Sequence, residues 1–127
     1  MKPTPSQTIG PFFGVGMGDE SPGGPLRLSG RVLDGEGAPV GDAMLEFWDG
    51  SHFARALTDD DGRWSVAMQE PRGGYFAVSV FARGLLQRLA TRVYLDADLA
   101  PDASLVASDG TWDVHLQGER ETIFYAL

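Results

Sequence analysis

Tyr75-Phe76-Ala77-Val78-Ser79-Val80-Phe81-Ala82 is bracketed by Gly73-Gly74 before it and Arg83-Gly84 after it, so a run of aromatic, β-branched and small residues stands between two turn signals. The run is too short and too rich in β-branched residues for a buried helix, and it predicts a strand. Alternation puts Phe76, Val78, Val80 and Ala82 on one face and Tyr75, Ala77, Ser79 and Phe81 on the other. Both faces carry apolar groups, which places this strand in the middle of a sheet.

Period-two alternation continues on either side. Upstream, Leu26, Leu28, Gly30 and Val32 share one face of a first strand, Asp34-Gly35-Glu36-Gly37 turns the chain, and Ala43 to Trp48 forms a second strand. Arg55 to Leu57 and Arg63 to Met68 flank Asp59-Asp60-Asp61-Gly62 and are expected to form a hairpin, with Trp64, Val66 and Met68 pointing to one side. Downstream, Arg88 to Leu95, Trp112 to Gln117 and Glu121 to Leu127 read as strands, and a short helical turn is expected within Leu99 to Ala107 and nowhere else. Roughly six or seven short strands separated by Gly and Asp predict an all-β, two-sheet antiparallel β-sandwich of the immunoglobulin or transthyretin-like kind. Residues 1–25, rich in Pro and Gly without periodicity, read as an extended N-terminal arm that docks on a partner or on its own sandwich; residues 26–127 are the sandwich.

A chain of 127 residues with 43% hydrophobic and 22% charged residues can bury a self-sufficient core as one domain. It has no Cys, which removes disulfides, thiolate metal sites and cysteine nucleophiles together. The net charge of -8 repels phosphate backbones and anionic membranes, so neither nucleic acid nor membrane is an expected partner. No apolar run has the length of a membrane span, and Met1-Lys2-Pro3-Thr4 does not lead into a signal peptide; the expected location is the cytoplasm.

Motifs for catalysis are sparse. Asp59-Asp60-Asp61-Gly62 lacks the later Glu of a calcium loop and reads as a turn. His52 in a loop and His115 between Val114 and Leu116 read as solvent-facing imidazoles, with no second imidazole two residues away. None of the serines lies in a strand-to-helix elbow. Arg83 stands where a buried strand ends, either as an ordinary exposed arginine or as a group presented to a ligand or partner. Within the arm, Thr4-Pro5-Ser6-Gln7-Thr8-Ile9-Gly10-Pro11-Phe12-Phe13 joins rigid prolines to aromatics, a pattern suited to docking.

This arm, together with Ala43 to Trp48, Thr58 to Trp64, Phe81-Ala82-Arg83-Gly84, Thr91 to Tyr94 and Gln117 to Phe124, resembles the intradiol ring-cleavage dioxygenases, and among them the alpha-type chains of the protocatechuate 3,4-dioxygenase group. The resemblance implies a family that holds ferric iron, Fe(III), with two tyrosines and a His-x-His pair on a strand. At the two His positions this chain has Tyr75 and Ala77; after Trp48, where a ligand tyrosine is implied, it has His52-Phe53; near Glu70-Pro71-Arg72-Gly73 no tyrosine precedes Tyr75. What the resemblance therefore implies is a subunit that binds no iron, completing the pocket of a catalytic beta subunit that carries Fe(III) and cleaves a catechol with O2. Thr8, Gly10, Pro11 and Phe12 are implied to wall that pocket and Arg83 to enter it, with no catalytic or metal-binding residue in this chain. The chain is much shorter than typical alpha-type subunits, chiefly between Trp48 and Thr58 and between Leu95 and Trp112. Two other readings stand beside this one. One is a non-enzymatic binding module of the carboxypeptidase-regulatory-like or transthyretin-like type. The other is a homo-oligomeric iron enzyme using Tyr75, Tyr94, His52 or His115, no two of which are expected to be neighbours at ligand spacing.

Overall fold

The structure, a computed structural model, describes residues 19–85, 87–118 and 121–125. Within them lie seven strands: β1 (Leu26–Leu33), β2 (Ala43–Trp48), β3 (Phe53–Leu57), β4 (Arg63–Met68), β5 (Tyr75–Ala82), β6 (Leu89–Tyr94) and β7 (Val114–His115). They form two sheets, ordered β4-β1-β7 and β3-β2-β5-β6, so the all-β sandwich is observed and β5 lies inside its sheet as its alternation predicts. No helix among the described residues is long and apolar enough to cross a membrane.

The core lies between the sheets. Ala43, Leu45 and Phe47 of β2 and Phe76, Val78, Val80 and Ala82 of β5 face Leu28 and Val32 of β1, Trp64, Val66 and Met68 of β4, and Val114 of β7. Its aromatic centre is Phe47, whose ring lies 5.2 Å from Trp64 and 6.4 Å from Phe76, with Trp112 edge-on to Trp64 at 6.2 Å. Each such side chain taken fully from water stabilises the fold by roughly 1.5–3 kcal/mol. Gly30 is required here, because a Cβ on it would collide with the Trp112 carbonyl where residues 110–112 run along β1.

Several expectations are corrected. The strands flanking Asp59 to Gly62 are not a hairpin: β3 pairs with β2 and β4 with β1, so the chain crosses between sheets at this turn. Asp59 Oδ1 accepts from the N–H groups of Asp61 and Arg63, each at 2.9 Å, a local closure that sets the bend without dictating which strand each arm joins. The sandwich is not wholly antiparallel, since β7 runs parallel to β1 through Val32 and Val114. Trp112 to Gln117 yields only the two-residue β7: Asp113 Oδ1 accepts the Arg31 N–H in place of a ladder carbonyl, and β1 ends at Leu33. Glu121 to Leu127 is not a strand within its described residues; Tyr125 alone bridges to Ala90. The expected helical turn is present as Ala103–Leu105, but a second forms at Arg72–Gly74, where Gly73 at φ 79° supplies a conformation that other residues resist.

Asp19 to Gly24 laces the sandwich along one side. Glu20 exchanges both backbone hydrogen bonds with Arg55 of β3 at 2.8 Å. Ser21 Oγ donates to the Ala67 carbonyl and accepts from the Ala67 N–H on β4, and the Gly23 N–H donates to the same carbonyl.

Candidate functional site

The outer face of the four-stranded sheet carries the positions singled out by sequence. Its rows follow from register: Trp48, Ala77 and Arg92 are cross-strand neighbours, as are Arg55, Glu46 and Ser79, and then Leu57, Met44 and Phe81. Tyr75 lies opposite Tyr94 with rings 5.1 Å apart. These two tyrosines are therefore in ring contact, a proximity that no spacing along the chain signals. Sequence reasoning missed this pair because it depends on the register between β5 and β6 rather than on spacing along the chain. Arg92, which it also missed, is the cross-strand neighbour of the exposed Ala77, with its guanidinium 4.8 Å from the Tyr75 ring and 4.9 Å from the Tyr125 ring.

At the same end of the sheet, the turn after Trp48 and the turn at Arg72–Gly74 are clasped together by Asp49. Its buried carboxylate accepts four hydrogen bonds, from the Ser51 and His52 N–H groups, His52 Nδ1 and the Arg72 N–H. Arg72 Nη1 adds a bond to Ser51 Oγ at 2.7 Å. Burial works against ionisation of Asp49, but the bonds from the His52 ring, Arg72, and the His52 and Ser51 backbone outweigh it and hold the carboxyl well below the usual carboxylate range. His52 is thus half-buried and hydrogen-bonded, not an imidazole free in solvent.

Arg83 sits beyond the other end of β5, roughly 25 Å from Tyr75 at about 3.3 Å per residue. Its backbone N–H donates to the Asp42 carbonyl and its Nε lies 3.3 Å from Asp42 Oδ2, with both side chains more than half exposed. Asp19, the first described residue, is at this same end: its Oδ1 accepts from the N–H of Leu57, the residue that aligns through Met44 with Phe81. Thr8, Gly10, Pro11 and Phe12 lie outside the described residues.

The donor set that ferric iron needs is not assembled at the implied positions. Tyr75 is stacked against Arg92, Ala77 has no donor, Phe53 has no phenolic oxygen, and His52 Nδ1 is held by Asp49. Among the described residues no cluster of three or more His, Asp and Glu could hold a metal ion. Two clefts of about 460 and 450 Å³ flank the half-buried His115 on the other sheet, and neither is lined by Tyr75 or Arg83.

Comparison with known proteins gives a consistent picture. No protein-family model matches the chain. It is similar to the protocatechuate 3,4-dioxygenase alpha chain of Pseudomonas putida, 28% identical in an alignment covering 96% of this chain and 95% of that protein. It is also similar to that of Burkholderia cepacia, 29% identical over 98% of each. The first alignment runs over 191 positions against the 127 residues here, so the relative carries long segments with no counterpart in this chain. Among solved structures, the dioxygenase domain of a dioxygenase carbohydrate-binding protein fusion from Streptomyces sp. SirexAA-E matches with a TM-score of 0.61 and 23% identity, over 77% of this chain and 82% of that one, a likeness of fold. The resemblance to intradiol dioxygenases, and to protocatechuate 3,4-dioxygenase alpha chains among them, is shown by the curated relatives.

Proposed function

We propose that this chain is the non-iron-binding, alpha-type subunit of a protocatechuate 3,4-dioxygenase-like enzyme, acting in the cytoplasm and completing the substrate pocket of a catalytic beta subunit. The observation that carries this reading is the division of labour between the two ends of β5. At the Tyr75 end, where the resemblance would put iron ligands, Ala77 and Phe53 carry no ligand atom, His52 Nδ1 is engaged by Asp49, and Arg92 lies against the Tyr75 ring. Arg83 and Asp19 share the opposite end, too far away to serve that position. This separation supports a role for Arg83 and the arm in a site completed by another polypeptide, and the near-full-length likeness to alpha chains supports the same reading.

In this scheme Thr8, Gly10, Pro11 and Phe12 form a rigid wall against the catechol, where prolines reduce the entropy lost on binding. Arg83 exchanges Asp42 for a substrate carboxylate; its present partner is an exposed ion pair worth about 0–1 kcal/mol, so the exchange is easy. Fe(III) in the partner supplies the catecholate and O2 chemistry that opens the ring between its hydroxyls.

Co-expression with a catalytic beta subunit tests the proposal. The isolated chain is expected to contain no stoichiometric iron and to cleave no catechol, whereas the complex does both. A coloured, stoichiometric ferric centre in the isolated chain would overturn the reading. In the complex, Arg83→Ala is expected to raise KM for a carboxylated catechol by about 10-fold or more, the loss of one charged hydrogen bond. An unchanged KM removes Arg83 from the pocket.

A further inference from the structure

Arg92 is the cation of the outer face whose environment sequence patterning does not explain. It is half-buried, and its guanidinium lies between two aromatic faces, Tyr75 at 4.8 Å and Tyr125 at 4.9 Å, while Nη1 reaches the Tyr94 hydroxyl at 3.3 Å. The chain contains 18 Asp and Glu residues, yet among the described residues no carboxylate pairs with this arginine. Ring quadrupoles and a phenol satisfy it instead, an environment that prefers a diffuse, weakly hydrated cation. The hydrogen bond to Tyr94 raises its pKa above the ordinary arginine value against the opposing effect of burial, with the nearby tyrosines adding to the rise. Three elements contribute: β5 gives Tyr75, β6 gives Arg92 and Tyr94, and the C-terminal segment gives Tyr125, whose N–H donates to the Ala90 carbonyl at 2.7 Å.

We propose that this end of the sheet is a tyrosine-walled cation site filled from within the chain, with Arg92 as its built-in occupant. The inference deepens the reading of the chain as one without its own iron. The face that would present a metal to substrate instead holds a fixed organic cation, which repels an incoming metal ion and ties the C-terminal segment to the sheet. Removing the Arg92 side chain leaves a cavity whose walls still favour a small planar cation.

Chemical rescue of the full-length chain tests this. Arg92→Ala is expected to lower Tm by about 3–8 °C, the loss of two cation–π contacts in a domain of this size. Methylguanidinium at about 10 mM is expected to recover a substantial part of that shift and to restore the near-ultraviolet circular dichroism of the tyrosines, because it places the same cation between the same rings. Neutral methylurea should recover neither, and the wild-type chain should respond to neither compound. An unchanged Tm in Arg92→Ala, absence of rescue, or equal rescue by methylurea overturns the proposal. If Arg92→Ala does not fold, the comparison moves to Arg92→Lys, which keeps the charge, and Arg92→Met, which keeps the length. Lys is expected to retain most of the wild-type Tm and Met is not, and equal Tm values for the two count against the proposal. Iron in the isolated chain would sink the functional reading above, whereas failed rescue sinks only the role of Arg92.

Discussion

The two faces of the four-stranded sheet differ in what buries them: the inner face is apolar, whereas the outer face sets charged groups beside the apolar Met44 and Phe81. On the inner face, Leu45, Phe47, Phe76, Val78 and Val80 bury hydrocarbon against the other sheet. On the outer face, Glu46 and Arg55 form an ion pair with Arg55 Nη2 and Glu46 Oε2 3.0 Å apart, Arg88 donates to Ser79 Oγ at 2.8 Å, and Arg92 lies between tyrosines. The inner face derives its stability from area removed from water, and it tolerates any change that keeps volume and apolarity. The outer face depends on each cation keeping its partner, because a charge left alone at a buried position costs far more than the pair contributes.

The sharpest way to break this contrast is to truncate on each face. Phe76→Ala should cost about 3–5 kcal/mol in chemical denaturation through the cavity it leaves. A cost under about 1 kcal/mol would mean that the sheets are not packed as described. Glu46→Gln, which keeps the shape and one acceptor oxygen but removes the charge, should cost about 3 kcal/mol, because Arg55 then has as its carboxylate partner only the largely exposed Glu20 at 3.9 Å among the described residues, beside the Phe53 ring at 5.3 Å. If that variant proves neutral, the outer face is screened by solvent and the contrast fails. Asp49→Asn should cost about 1–3 kcal/mol at neutral pH. Since the folded carboxyl has a depressed pKa, its contribution is fully present above the unfolded value of about 3.9 and is lost as pH falls below it. The gap between this variant and the wild type should accordingly shrink in denaturation curves taken from about pH 5 down to pH 2; a gap that widened on acidification would contradict the clasp. Arg83→Ala, at an exposed position, should change stability by less than about 0.5 kcal/mol, leaving its kinetic effect in the complex clean to interpret.

Much of the inner face was legible in the sequence because alternation reports which side chains share a surface. β2, β4 and β5 run over the residues their periodicity marks, and Trp64, Val66 and Met68 do face one side. Partner choice was not legible. An Asp-Gly turn looks the same whether its flanking strands pair with each other or diverge to different sheets, and β3 and β4 diverge. The parallel pairing of Val32 with Val114 joins segments some 80 residues apart, beyond any local signal. Tyr75, Tyr94, Arg92 and Tyr125 converge only once the register of β5 and β6 is set. At the candidate site, the lack of ligand types at Ala77 and Phe53 could be read from residue identity alone. The engagement of His52 by Asp49 could not, because it depends on the shape of a turn.

The segment from Asp19 to Gly24 has a practical consequence. It caps two strand edges at once, the outer margin of β3 through Glu20 and that of β4 through Ser21 and Gly23. Shortened versions of the chain that begin at Asp19 keep these bonds, while versions that begin at Pro25 free the Arg55 backbone and the Leu57 N–H on β3 and the Ala67 backbone on β4 for intermolecular strand addition. Self-association seen in the shorter version alone would therefore report a lost edge guard, and not the loss of whatever the preceding residues bind.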